Sequence, residues 1–266
     1  MKKIAEIFIK EKKYKIDLNN FHDLSIPIGA DSKSPSFYDE NPLKIEYLKD
    51  KHDKIWDVTH GASCNVPIMK LNIHCGSTHT ECRSHITREK TYVSEIIDNS
   101  FLKCLLISLK PEKSIGKDSY HYKLDSNDLI ITKKALNRKL DKFKNTNINS
   151  LILRTLPNHI DEIIKQNYDN IPNCFFSNEA IEYLVSFGIE HLVVDIPSID
   201  KLNDGGALGN HKIFWNIDKE GNNNTITELA IIKNEIEDGL YLLSLNILHV
   251  KLDASPSRPL IYPLLK

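Results

Sequence analysis

Twelve consecutive residues constrain this chain more than any others: His74-Cys75-Gly76-Ser77-Thr78-His79-Thr80-Glu81-Cys82-Arg83-Ser84-His85. They hold three of its eleven histidines, a carboxylate and two thiols. Imidazole and carboxylate groups this close suit a divalent cation, because each offers a lone pair of borderline or hard character. For His74 and His79 to reach one point the chain must turn sharply, and Gly76 and Ser77 are small enough to allow it. The alternating run Ile68–Ile73 reads as a strand that delivers His74 to that turn. An H-x4-H spacing alone is common in histidine-rich loops, so the rest of the chain decides the reading.

At 266 residues the chain suits one large domain or two small ones and can bury a substantial core. Hydrophobic residues at 41% and charged residues at 27% fit a soluble globular protein. A formal net charge of −1 gives no electrostatic case for nucleic acid or an anionic membrane as partner. Met1-Lys2-Lys3 and the run Ile4–Ile9 are superficially signal-like. The run is short, carries Glu6 and leads into Lys10-Glu11-Lys12-Lys13, so a first strand is the better reading. No stretch approaches the ~18 apolar residues of a membrane span. The five cysteines, at 64, 75, 82, 104 and 174, are scattered and contain no C-x-x-C pair. A disulfide framework and a thiolate zinc knuckle are both disfavoured, and a cytoplasmic location is expected.

Strands are expected at Lys3–Ile9 and Tyr14–Leu18, joined by a lysine-rich turn. From Gly29 to about Val66 the chain reads as one long irregular loop carrying Phe37, Tyr38, Trp56 and His60, and loops of that length are commonly functional. Phe101–Leu109 and Ser150–Arg154 read as buried strands, and Thr132–Leu140 as a helix. Ser177 is the expected N-cap of a helix through Phe187, with Glu179 in its first turn and Gly188 just past its end. His191–Ile196 then reads as a strand, and this helix-to-strand passage indicates an α/β unit. Thr227–Lys233, Leu240–Val250 and Leu260–Leu264 close the chain as strands. The sum is an α/β chain dominated by strands, read as a single domain.

The nearby candidates for metal ligation are His74, His79 and Glu81. Folding can add His211, expected on an accessible loop after Asp204-Gly205-Gly206-Ala207-Leu208-Gly209-Asn210, and Glu228, expected at the start of a strand. His85, four residues beyond Glu81, is free to act as a general base. A water on such a metal has its pKa lowered toward ~7, and a neutral histidine can pass its proton to a leaving group. That is the chemistry of amide, ester or lactam hydrolysis. No nucleophile elbow, P-loop or dinucleotide fingerprint is present. Each candidate has a plainer reading: a polar turn for His79 and Glu81, a loop histidine for His211, a solvent-facing strand residue for Glu228. Asp195, Ser198 and Asp200 read as turn formers, with a role in shaping the pocket as the alternative for Asp200. His22, His52, His121, His159, His191 and His249 show no partner pattern.

The chain resembles the metal-dependent cyclase family, which includes bacterial kynurenine formamidases and isatin hydrolases. The family's H-x-G-T-H-x-D-x-P-x-H segment corresponds to H-C-G-S-T-H-T-E-C-R-S-H here. Asp23-Leu24-Ser25-Ile26-Pro27 is similar to its D-L-S-h-P, and Arg154-Thr155 to its R-T. Gly188-Ile189 and Val193-Val194-Asp195-Ile196-Pro197-Ser198-Ile199-Asp200 resemble its G-h…h-x-D-x-x-S-h-D. His211, Glu228, Asp238-Gly239 and Ser255-Pro256-Ser257-Arg258 follow in the family's order, so the likeness runs from about residue 20 to the end.

The resemblance implies a β-rich swivelling β/β/α domain, usually oligomeric, as a dimer or tetramer. It implies a divalent metal, zinc or manganese, held by His79 and Glu81 with His74 as third ligand. His211 and Glu228 would serve the same centre or a second metal, and His85 would be the proton shuttle. The implied activity is metal-dependent hydrolysis of a small amide or cyclic amide, with metal-bound hydroxide attacking the carbonyl. A lactone-opening cyclase or a metal-free small-molecule binder are the alternatives. Three positions depart from the pattern. His74 stands five residues before His79, so Cys75 occupies the usual ligand position; the loop bulges to keep His74, a thiolate replaces it, or the site is altered. Glu81 replaces an aspartate. Arg83 replaces a proline, and is expected to pair with Glu81, bind an anionic substrate or lie on the surface. Trp56 and Phe37 are expected to line a substrate pocket or to pack.

Overall fold

The computed structural model describes residues 2–29, 34–38, 42–98, 101–114, 118–169, 171–219 and 221–265. Two stretches dictate its centre. Leu102–Leu109 and Ser150–Thr155 are almost wholly buried, as runs apolar on both faces must be when helices or loops cover each side. They pair in parallel, and His191–Val194 and Thr225–Glu228 extend the parallel set. Antiparallel strands complete a nine-stranded sheet. On one flank His79–Glu81 and Ala254–Pro256 are added; on the other, Gly239–Ser244, Leu260–Pro263 and His22–Asp23.

Alternation along these strands sorts side chains onto two faces. Leu105, Ile107, Leu151, Leu153, Leu192 and Val194 face one core, packed against Leu136, Leu140, Ala180, Ile181 and Leu184. The last five belong to helices Lys133–Leu140 and Asn178–Phe187. Cys104, Leu106, Ile152 and Val193 face the other side, where Leu24, Ala230, Ile232 and Ile236 cover them. Each fully buried Leu or Ile contributes about 1.5–3 kcal/mol. The helix Asn178–Phe187 has the expected limits: Ser177 Oγ accepts the Ala180 N–H at 3.1 Å, and Gly188 at φ +90° ends it. This strand-rich α/β architecture agrees with the fold class expected from sequence.

Several local expectations change. The strand before His74 is Pro67–Leu71, and His74 rides on the single helical turn Ile73–Gly76. Gly76 is obligatory there, since an added Cβ would lie 2.8 Å from the Cβ of Pro42. The stretch from Gly29 to Val66 is not one irregular loop. Leu43–Tyr47 pairs antiparallel with Pro67–Leu71, making a two-stranded arm; residues 30–33 and 39–41 lie outside the described residues. The strand expected over Thr227–Lys233 is Thr225–Glu228, because Leu229 turns the chain at φ +55°. Glu228 therefore ends its strand rather than starting it. Leu240–Val250 shortens to Gly239–Ser244. His211, expected on an accessible loop, lies buried in the helix Gly209–Trp215. Among the described residues no helix is long and apolar enough to cross a membrane.

Candidate metal centre

Strand register brings the first donors together. His79 and Glu81 alternate on one strand and so share a face, and Glu228 pairs directly across from His79. On the other side of the same strand Ala254 pairs with Glu81, and the carbonyl of Asp253 accepts the Cys82 N–H at 3.0 Å. The helix Gly209–Trp215 supplies His211, and the turn Ile73–Gly76 supplies His74.

Glu81 is the hub. Its Oε1 lies 3.1 Å from His211 Nε2, and its Oε2 lies 3.2 Å from His74 Nδ1 and 3.8 Å from His85 Nε2. Glu228 lies 3.6 Å from His79 Nε2 and 3.7 Å from His211 Nε2. Its Oε1 accepts the Ile199 N–H at 3.0 Å. Donor atoms of His79, Glu81 and Glu228 lie within 4.8 Å of one another, as do those of His74, Glu81 and His85. The first group is fully buried; the second faces a cavity of about 480 Å³, with His74 and His85 about a quarter exposed. Phe37, Tyr38, Leu202 and Leu208 also line that cavity.

The electrostatics follow from burial. Burial lowers the pKa of His79 to about 4, with the charge of His74 adding to the effect. Burial also raises Glu228, and the neighbouring Glu81 carboxylate raises it further. Burial opposes ionisation of Glu81 too, but His85, His211 and His74 outweigh it and hold Glu81 well below the usual carboxylate range. His74 is raised to about 10: desolvation works against its charge, and hydrogen bonds to Asp253 and Glu81 overcome that. His211 is raised by Asp200, Glu228 and Glu81 against its own burial.

One atom tests whether these residues suit a cation. His79 Nδ1 lies 2.9 Å from the Ser77 carbonyl, which commits its proton there. Nε2 therefore presents a lone pair, is buried, and has no hydrogen-bond partner. It points at a carboxylate oxygen 3.6 Å away, an arrangement of lone pairs that a positive ion between them would satisfy. The donor set of imidazole nitrogen and carboxylate oxygen suits a divalent cation. The residues fit the group.

A further cluster, His121, Asp200 and Asp204, has similar spacing, but its donors are committed within the chain. His121 Nδ1 meets Asn178 Oδ1, its Nε2 accepts the Gly209 N–H, and Asp204 accepts the N–H groups of Gly206, Ala207 and Leu208.

Of the residues singled out in the sequence, the fold gathers His74, His79, Glu81, His85, His211 and Glu228 and leaves two apart. Arg83 neither pairs with Glu81 nor faces the cavity. It is buried, donating to the carbonyls of Lys219 at 2.7 Å and Ile217 at 3.4 Å and pairing with Glu89 at 2.9 Å. Trp56 sits on the arm, its Nε1 donating to Asp50 at 3.3 Å with Lys54 over its ring, while Phe37 does line the cavity. Cys75 packs with Ile26, Phe37, Leu229 and Ile231, and it is His74 whose nitrogen reaches Glu81. Sequence reasoning missed Asp253, which touches His74 and His85, and read Asp200 as a turn former ahead of a residue that shapes the pocket. No spacing motif marks Asp253, whereas Asp200 closes the segment that resembles the family's G-h…h-x-D-x-x-S-h-D. Asp195 is a buried acceptor for the Thr155 N–H rather than a turn former.

Comparison with known proteins places this geometry in context. The chain is 26% identical over 213 residues to a kynurenine formamidase of Bacillus thuringiensis (strain Al Hakam), covering 79% of this chain and 85% of that protein. It is 24% identical over 247 residues to a kynurenine formamidase of Bacillus anthracis, covering 91% and 97%. Two solved structures share the fold. One, a novel cyclase, superposes with a TM-score of 0.63 at 14% identity, over 93% of this chain and 88% of its own. The other, isatin hydrolase A of Labrenzia aggregata bound to benzyl benzoate, gives 0.62 at 13% identity, over 91% and 93%. The profile of the Cyclase family matches residues 22–201, well over half the chain. The chain belongs to the Cyclase family.

Proposed function

We propose that this protein is a metal-dependent hydrolase that cleaves the C–N bond of a small amide or cyclic amide, in the manner of an arylformamidase. The observation that carries the reading is the buried, partnerless Nε2 of His79 aimed at Glu228 beside the shared carboxylate Glu81. The relatives named kynurenine formamidase support the bond type.

His79, Glu81 and Glu228 would hold the ion, with His74 and His211 completing the donor set around Glu81. A divalent ion held there supplies Lewis acidity, which polarises a carbonyl and acidifies water. The chain's own groups do the rest. Phe37, Tyr38, Leu202 and Leu208 offer an apolar wall for an aromatic or alicyclic body. His85 turns Nε2 toward Glu81 and Nδ1 toward Asp253. In its unprotonated form it accepts the proton that the attacking water loses as its oxygen bonds the carbonyl carbon. It returns that proton to the nitrogen as the C–N bond breaks.

The test is metal analysis of protein purified without chelator or a metal-affinity tag, followed by assay on an N-formyl arylamine. The reading expects stoichiometric zinc or manganese and release of formate. Less than about a tenth of an equivalent of metal, with none taken up on addition, overturns it. Full metal with turnover only of lactones would point to the cyclase chemistry instead.

A further inference from the structure

We infer that Asp253 is a positioning residue: one carboxylate that clamps the imidazoles of His74 and His85 and fixes which nitrogen of each faces Glu81. A single oxygen, Oδ2, lies 3.1 Å from His74 Nε2 and 3.0 Å from His85 Nδ1. The opposite nitrogen of each ring is the one turned to Glu81 Oε2, at 3.2 Å for His74 and 3.8 Å for His85. The two rings lie almost face to face, with centroids 4.2 Å apart and planes at 32°. Two imidazoles side by side have no intrinsic reason to share an orientation. Asp253 Oδ2 accepts and does not donate, so it holds an N–H of each ring on its own side. The His74 nitrogen facing Glu81 Oε2 also donates in the metal-free site, and a cation bound there would displace that proton.

The clamp is held from outside the histidine-rich segment. Ala254 pairs with Glu81 in the edge strand, and the Asp253 carbonyl receives the Cys82 N–H. The strand that carries Glu81 thus sets where the Asp253 carboxylate stands. With one N–H of each ring held on Asp253, the second nitrogen of His74 is the one left for a cation among the metal-binding donors, and that of His85 is the one turned toward Glu81 at the cavity. A carboxylate behind a ligating histidine orients the ring and raises its basicity. Behind His85 the same carboxylate keeps the proton acceptor aimed at the substrate.

The part of this assignment that concerns His85 rests on the hydrolase reading; the part that concerns His74 needs only the metal. Asp253→Ala and Asp253→Asn in the full chain test it, with Zn(II) as the probe in competition with a chromogenic chelator. Asp253→Ala is expected to weaken zinc binding by about 10–100-fold and to lower kcat on an N-formyl arylamine with KM unchanged. Asp253→Asn keeps an acceptor oxygen at the same place and should recover part of both losses. Unchanged zinc affinity in Asp253→Ala, or equal losses in the two variants, overturns the clamp.

Zinc affinity that depends on Asp253 in a chain without formamide turnover upholds the clamp and sinks the hydrolase reading. A metal-free measurement is independent of both. At a pH where His85 is neutral, its imidazole 15N shifts should show the proton on Nδ1 in the wild type and divided between the nitrogens in Asp253→Ala. A divided proton already in the wild type overturns the proposal.

Discussion

His211 Nδ1 lies 2.7 Å from Oδ2 of Asp200. The same carboxylate accepts the backbone N–H of Asn210 at 3.0 Å and of His211 at 3.1 Å, and the Tyr120 hydroxyl at 2.9 Å. One buried side chain therefore seats the first turn of the helix Gly209–Trp215 and orients the ring it presents. His211 Nε2 is left facing Glu81 as a consequence. Although desolvation works against its charge, these hydrogen bonds hold Asp200 below the usual carboxylate range.

Asp200→Asn should therefore weaken metal binding without removing a ligand. The amide keeps an acceptor for His211 but loses the charge, and such partners behind a ligand carry about 10–100-fold in metal affinity. Chelator competition on wild type and variant measures it; equal affinities would reduce Asp200 to a helix cap.

His79→Ala removes the buried, partnerless nitrogen that faces Glu228. Metal content after purification should fall well below that of the wild type, and turnover should fall with it. A variant that keeps full metal and activity shows that the ligand set lies elsewhere.

Arg83→Met should cost stability and leave KM alone. The methionine fills much of the space, but the carbonyls of Lys219 and Ile217 lose their donors, which costs about 1–3 kcal/mol. Urea denaturation gives the size of the loss. A raised KM at unchanged stability would return Arg83 to the substrate.

Asp195→Asn should change how stability depends on pH. Burial raises this carboxyl to about 7, against the stabilising N–H of Thr155. The folded chain thus keeps a proton that the unfolded chain has already lost, so this group's contribution is full at low pH and fades as pH rises through about 7. Asparagine has no proton to lose. The melting temperature of the variant should gain on the wild type between about pH 5 and about pH 8; a constant difference would show that Asp195 is ionised in the fold.

What was legible in the sequence was local. Ser177 and Gly188 marked both ends of a helix because capping is settled within a few residues. Phe101–Leu109 and Ser150–Arg154 read as buried strands because apolar residues dominate both runs. His79 and Glu81 were legible as close neighbours able to share a cation, though not as alternating residues of one strand. The order of motifs carried the family, and with it the pairing of that segment with His211 and Glu228.

Tertiary structure decided the rest. Whether His74 or Cys75 turns toward Glu81 depends on a helical turn packed against Pro42. Asp253 reaches His74 and His85 only because an edge strand pairs with Glu81 in one register. Arg83 points away from the cavity because carbonyls at positions 217 and 219 accept its protons. Helix-capping hydrogen bonds and side-chain periodicity act over a few residues and are written into the local sequence. Which donors share one cavity is set by the register of strands far apart in the chain, where slipping by one residue would carry every side chain to the opposite face.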